Sequence, residues 1–174
     1  VYYEVVIARD VPNLSLKRIT LLHELGHVIY NHLDSSNYKE DLDLIKSIFD
    51  KHNIPFDAIA KFGGPMSFLN ICMDFEVNSK LLTLQNVKDM NEALHKINPD
   101  FNIQTPDMYE IETLDTYRDY FEPLILKIDD EDIQKLSQMQ QDLAEALSSF
   151  QSDLDQEIQK ALEQEGYNSG NFKR

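Results

Sequence analysis

The sequence predicts an α+β fold that is mainly α: a small sheet at the N-terminus, a helical core and a long acidic amphipathic helix towards the C-terminus. Three observations carry this. Val1–Arg9 (VYYEVVIAR) is dense in β-branched and aromatic residues, the composition of a strand. From Leu16 to Leu82 apolar residues recur at helical spacing, with polar, Gly or Pro punctuation between segments. In residues 129–165, Ile133, Leu136, Leu143, Leu147, Phe150, Leu154, Ile158 and Leu162 step by three, four or seven.

Taken in order, Asp10-Val11-Pro12-Asn13 ends the strand. Ser15 is a plausible N-cap for a first helix running to about Leu33, with Leu21, Leu22, Leu25, Val28 and Ile29 facing a core. Asp34 to Asn37 is a loop, and a second helix covers Lys39–His52 with Leu42, Ile45, Ile48 and Phe49 on its apolar side. Asn53-Ile54-Pro55 breaks it, and a short helix covers Phe56–Lys61. Gly63-Gly64-Pro65 is a sharp stop and restart before a helix over Met66–Leu82. That helix is apolar on more than one side and so belongs in the core, which makes its polar row Asn70, Asp74 and Asn78 stand out. Val87–Lys96 reads as helix, Asn98–Pro106 as irregular or a short strand, and Leu114–Lys127 as an aromatic helix broken or kinked at Pro123. Asp129–Glu165 is one long amphipathic helix or two stacked ones; Gln140 and Glu157 interrupt its heptads. Gly166–Arg174 reads as loop.

The 174 residues suffice for a single domain (1–174), and with Val1 in place of Met the expectation is a fragment of a longer protein. No apolar run approaches the roughly 20 residues that cross a membrane. Net charge is −15, and residues 129–165 hold eleven acidic residues against Lys135 and Lys160. Such a balance excludes a basic footprint for nucleic acid. Cys72 is the only cysteine, so no internal disulfide forms, in keeping with a reducing compartment such as a cytoplasm.

The chemistry concentrates in His23-Glu24-Leu25-Gly26-His27, an HExxH pattern. Residues four apart on a helix lie about 40° apart around the axis, one turn up. Both imidazoles can then bind one Zn²⁺, with Glu24 beside the metal as a proton acceptor rather than a ligand.

A catalytic zinc takes three protein ligands and keeps one open position. His32 is a poor third ligand: on a continuous helix it points about 180° from His23 and 140° from His27. The metzincin spacing also fails, because Leu33 and Tyr30 occupy its third histidine and its glycine. His32 therefore reads as a helix-end or surface histidine. Asp74 and Glu76 are better candidates, since a carboxylate on a core helix is costly unless paired or metal-bound. Asp74, on the polar row, is preferred; Glu76 points about 200° away from it. Asp74 as a hydrogen-bond partner of a ligating histidine is the alternative, and Asn78 could orient the carboxylate or an imidazole.

The blocks HELGHVIYNHL (His23–Leu33) and NICMDFEVNSKLL (Asn70–Leu82) resemble the metallopeptidase domain found in bacterial and phage proteins, often ahead of a von Willebrand factor A-like domain. That domain pairs an HExxH helix with a later N-I-A-x-D-x-x-I-N helix, matched here by Asn70, Ile71, Asp74 and Asn78, with Cys72 at the small position. The resemblance implies a zincin-like helical core, one zinc per chain on His23, His27 and Asp74, a peptide or protein substrate, and a bacterial or phage-infected cytoplasm. Residues 129–165 then look like a lineage-specific insertion. HELGH followed by Glu76-Val77-Asn78 also resembles regulatory peptidases that cleave repressors, in which register Glu76 would be the third ligand.

The expected activity is zinc-dependent peptide hydrolysis with Glu24 as general base, the substrate adding to the edge of the Val1–Arg9 strand. Mn²⁺ or Co²⁺ also suit such a site. Tyr109, Tyr117, Tyr120 and His95 are candidates to stabilise the oxyanion. The alternative is a catalytically weak metal-binding module that docks a partner protein, or a second copy, through 129–165.

Overall fold

The computed structural model describes residues 4, 13–34, 36–99 and 103–164, the last four of these by backbone alone. Among them there is no strand and no sheet, so the expected α+β class is corrected to an all-helical one. The sheet rested on Val1–Arg9, of which only Glu4 is described, and a strand is stable only with a partner. The other possible strand, Asn98–Pro106, contains extended residues, Asn98 (φ −133°, ψ 97°) and Thr105 (φ −133°, ψ 156°), but no ladder.

Six α-helices are described: α1 Leu14–Ile29, α2 Asn37–Lys51, α3 Pro65–Leu81, α4 Gln85–Ile97, α5 Phe121–Ile125 and α6 Asp130–Gln164. Short 3-10 turns cover Phe56–Phe62, Pro106–Tyr109 and Tyr117–Tyr120. The chain divides into two compact units, Val1–Asp129 and Asp130–Arg174.

In the first unit α3 is the central element. It packs on α1 and on the turns Phe56–Phe62 and Tyr117–Tyr120. Its start is built as the sequence indicates. Gly63 takes a left-handed φ of 83° and Gly64 a φ of 96°, and Pro65 occupies the first helical position, where a missing N–H costs nothing. Phe68, Leu69, Cys72, Phe75 and Val77 are all buried. Rings from three segments meet there: Phe68 on Phe62 and Phe121, and Phe75 on Tyr109 and Tyr120, with centroids 5.3–5.8 Å apart. The buried Tyr120 hydroxyl is satisfied by the backbone of Leu114, accepting from its N–H at 2.8 Å and donating to its carbonyl at 3.0 Å. Helix α2 joins this core through Ile45 and Phe49 and packs on α5.

Several expected boundaries shift. The N-cap of α1 is Asn13 rather than Ser15: its Oδ1 accepts from Ser15 N at 2.7 Å and Leu16 N at 3.4 Å. The helix ends at Ile29 rather than Leu33, because Asn31 adopts a left-handed φ of 59°. Its buried face is not the expected one: Leu21, Leu25 and Ile29 are exposed and Leu22 and Val28 half-buried, while Ile19 and Gly26 are the buried residues of a helix that packs on α3 and α4. In Leu114–Lys127 the break comes before Pro123. A 3-10 turn runs into α5, and Pro123 falls in the first turn of that helix, where its absent N–H has no intrahelical partner to lose.

The described residues of the second unit form one long helix, α6, whose first turn carries Asp130, Glu131 and Asp132, favourable at a helix N-terminus. Leu143, Leu147, Phe150, Leu154 and Ile158 on it are exposed. No helix among the described residues is long and apolar enough to cross a membrane.

Candidate metal centre

Helix α1 brings His23, Glu24 and His27 to one wall of a cavity of about 650 Å³, and α3 brings Asn70 and Asp74 to it. Two packed helices can hold ligands this close only if their backbones approach closely, and Gly26 makes that possible. A Cβ there would stand 2.5 Å from Val77 Cγ1 and 3.2 Å from its Cγ2. The glycine inside the HExxH block is thus the seat of α3 on α1.

Three atoms converge in the cavity. His23 Nε2 and His27 Nε2 are 3.0 Å apart, and Asp74 Oδ1 lies 3.3 Å from the first and 3.1 Å from the second. Among the described residues this is the group whose atoms could hold a metal ion. A tetrahedral zinc bonded at about 2.0–2.1 Å sets its ligand atoms roughly 3.3 Å apart, and the observed triangle has nearly that size.

The hydrogen bonds behind the triangle determine what it offers. Asn78 Nδ2 donates to the Gln104 carbonyl at 2.8 Å, so its Oδ1 faces His23 Nδ1, also at 2.8 Å, and accepts that proton. His23 Nε2 is then left with a lone pair. Behind His27 runs a longer chain. Glu76 Oε2 accepts Tyr117 N–H at 2.8 Å and lies 3.2 Å from His32 Nε2, while Lys80 Nζ donates to Oε1 at 3.2 Å. A carboxylate accepts, so His32 Nε2 carries the proton and His32 Nδ1 is the acceptor. His27 Nδ1, 2.9 Å from His32 Nδ1, must donate to it, and His27 Nε2 also turns a lone pair inward. Three acceptors at 3.0–3.3 Å repel one another unless a cation lies between them, so the donor set fits a divalent metal.

In the metal-free protein a proton on an imidazole Nε2 can stand in for that cation, donating to Asp74. Burial alone would lower the pKa of His23, but hydrogen bonds to Asp74 and Asn78, with the charges of Asp74 and Glu24, outweigh it and raise the pKa above 6.5. Burial alone would raise that of Asp74; hydrogen bonds from His23 and His27 prevail and hold its carboxyl below the usual range. Burial dominates at His32 and pushes its pKa down, which favours the neutral ring.

Each residue singled out in the sequence can now be placed. His23, His27 and Asp74 come together, and Glu24 lines the same cavity. Glu76 does not reach the triangle, being held by His32, Lys80 and Tyr117. His32, expected at a helix end or on the surface, is at the helix end but buried, with its side chain fully enclosed. The turn after α1 explains this. Asn31 N–H bonds the Val28 carbonyl at 3.2 Å and His32 N–H bonds the His27 carbonyl at 2.9 Å, a Schellman cap that swings His32 back over His27. The only local signal for it was Asn31, a residue that tolerates the left-handed conformation.

None of the four oxyanion candidates lines the cavity. The Tyr117 hydroxyl donates to the buried Asp41 at 2.9 Å, Tyr120 is held by Leu114, Tyr109 accepts from Gln104 at 2.9 Å, and His95 is exposed. Tyr38, at the start of α2, does line it, as do Met66, Leu69 and Met73. The Val1–Arg9 edge proposed for substrate lies outside the described residues, Glu4 apart. Comparison of the chain with family models, curated proteins and solved structures returned no match.

Proposed function

We propose that this chain is a zinc-dependent metallopeptidase domain that hydrolyses a peptide bond in the α1–α3 cavity, with one zinc per chain on His23, His27 and Asp74. The observation that supports it most is the convergence of two imidazole nitrogens and one carboxylate oxygen within 3.0–3.3 Å in a cavity that Glu24 also lines. A zinc ion bound there supplies a Lewis acid for the scissile carbonyl and a water of lowered pKa.

The chain's own residues do the rest. Glu24, exposed to the cavity and not hydrogen-bonded to the ligand triangle, takes a proton from the attacking water as its oxygen bonds the carbonyl carbon. The same carboxyl hands that proton to the leaving nitrogen as the C–N bond breaks, so one acid and one amine result. Asn78 holds the His23 ring and Gly26 holds α1 against α3. Leu69, Met66 and Met73 form an apolar side of the cavity suited to a substrate side chain, and the Tyr38 hydroxyl is the new candidate for the oxyanion. A bacterial or phage-infected cytoplasm is the proposed compartment, in keeping with a lone buried Cys72.

The test is metal content and cleavage together. Purified protein should carry about one zinc per chain. His23→Ala and Asp74→Ala should lose it, and Glu24→Gln should retain zinc while peptide cleavage disappears. Wild-type protein that takes up no metal when zinc is added back would overturn the proposal. The exposed row Leu143, Leu147, Phe150, Leu154 and Ile158 on α6 favours a second reading, a metal-binding module that docks a partner. Zinc without any cleavage by wild type across a broad peptide library would favour it.

A further inference from the structure

We infer that His32 and Glu76 are positioning residues for the metal centre: together they hold His27 in the tautomer and ring orientation that turn its Nε2 towards His23 and Asp74. The inference rests on the metal-centre reading above and adds two residues that take no part in the ligand triangle.

The His32 side chain is fully enclosed and that of Glu76 is 7% exposed. Burying a polar pair in an all-helical core costs stability that an apolar pair would not. Packing alone therefore gives no reason for these residue types. Their hydrogen bonds do. Every group on the Glu76 carboxylate is a donor: Tyr117 N–H, Lys80 Nζ and His32 Nε2. This leaves His32 a single acceptor, Nδ1, aimed at His27 Nδ1 2.9 Å away. Once a metal takes the His27 Nε2 lone pair, His27 Nδ1 must carry its proton, and His32 Nδ1, with Nε2 donating to Glu76, is the acceptor placed to receive it. Such partners behind a ligating histidine raise its basicity and fix its rotation, and losing one costs about 10–100-fold in metal affinity.

The arrangement reaches beyond the metal. Tyr117 gives its N–H to Glu76 and its hydroxyl to Asp41, and Asp41 lies on α2 and lines the cavity. A continuous run of hydrogen bonds thus joins His27 to the α2 wall through His32, Glu76 and Tyr117.

The experiment measures zinc affinity by chelator competition and reads the histidine tautomers of the zinc-loaded protein by nitrogen-15 NMR. His32→Gln keeps a nitrogen near Glu76 but offers His27 no ring acceptor. His32→Asn keeps an oxygen near the place of Nδ1. We expect wild type to show His27 protonated at Nδ1 and His32 at Nε2. His32→Gln should lose about 10–100-fold in affinity with its helical content intact, and His32→Asn should recover most of that loss. Wild-type affinity and an unchanged His27 signal in His32→Gln would overturn the positioning role alone. Equal losses in both variants would reduce the pair to a packing role and overturn it too. Wild type that binds no zinc would overturn the metal centre itself, and this inference with it.

Discussion

His27 Nδ1 and His32 Nδ1 lie 2.9 Å apart, although five residues on an unbroken helix would set them about 140° apart around the axis. The left-handed Asn31 closes that gap by ending α1 and reversing the chain. One backbone conformation thus brings a residue that helical geometry places outside the site against His27, a candidate metal ligand.

Gly26→Ala tests the seat of α1 on α3. Alanine is favoured over glycine in a helix by about 1 kcal/mol. The added methyl, however, meets the fully buried Val77 at 2.5 Å, an overpacking that costs about 1–3 kcal/mol. The variant should be less stable in urea and bind zinc more weakly. Adding Val77→Ala should relieve the clash and restore zinc binding. A Gly26→Ala protein more stable than wild type would show that the helices are not held by this contact.

Asn78→Ala removes the acceptor for His23 Nδ1 while leaving all three ligand atoms in place. Zinc affinity should fall by about tenfold or more, read by chelator competition, with the helical circular-dichroism signal kept. Unchanged affinity would mean that the His23 ring is held by packing alone.

Acid should release the metal in a definite window. In the metal-free protein the raised pKa of His23 contributes stability that is fully present below 6.5 and lost as pH rises through its folded value. The lowered pKa of Asp74 contributes stability present above 3.8 and lost as pH falls through its folded value. Their joint contribution to the metal-free fold is therefore greatest between 3.8 and 6.5. His32 runs the other way: its lowered pKa contributes above 6.5, and that is lost as pH falls through its folded value. Zinc competes with the proton on His23, so the rise in Tm on adding zinc should grow as pH climbs past 6.5 and vanish on chelation. Melting curves with and without zinc across this range measure it. A pH-independent zinc effect would place the metal elsewhere.

Truncation after Asp129 removes α6 without touching a single residue of the candidate centre, since His23, Glu24, His27, His32, Asp74, Glu76 and Asn78 all fall in the first compact unit. The shortened chain should melt cooperatively and retain its zinc. Loss of zinc with the helix gone would assign α6 a part in the site.

Much of the helical layout was legible because the signals are local. The Gly63-Gly64-Pro65 restart, the 3.6-residue recurrence in α2 and α3 and the long periodicity of α6 each depend on a few neighbouring residues. Asp74 could be preferred over Glu76 from helical rotation alone, because α3 is regular across both. The rotation argument failed at His32 for the converse reason: it assumed a continuous helix where a left-handed residue ends one. The oxyanion candidates failed similarly. Tyr117 and Tyr120 read as available hydroxyls, yet Asp41 and the Leu114 backbone, neither predictable as partners, already bind them.

By itself the sequence determined the types of the candidate ligands and their spacing on two helices, because helical rotation converts residue number into direction. Only the tertiary structure decided that α1 and α3 meet at Gly26 and Val77, that the three candidate ligand atoms converge, and that Glu76 stands behind His32 rather than in that triangle. Those outcomes depend on how closely two backbones approach and which buried donor faces which acceptor, and neither quantity is encoded at any single position.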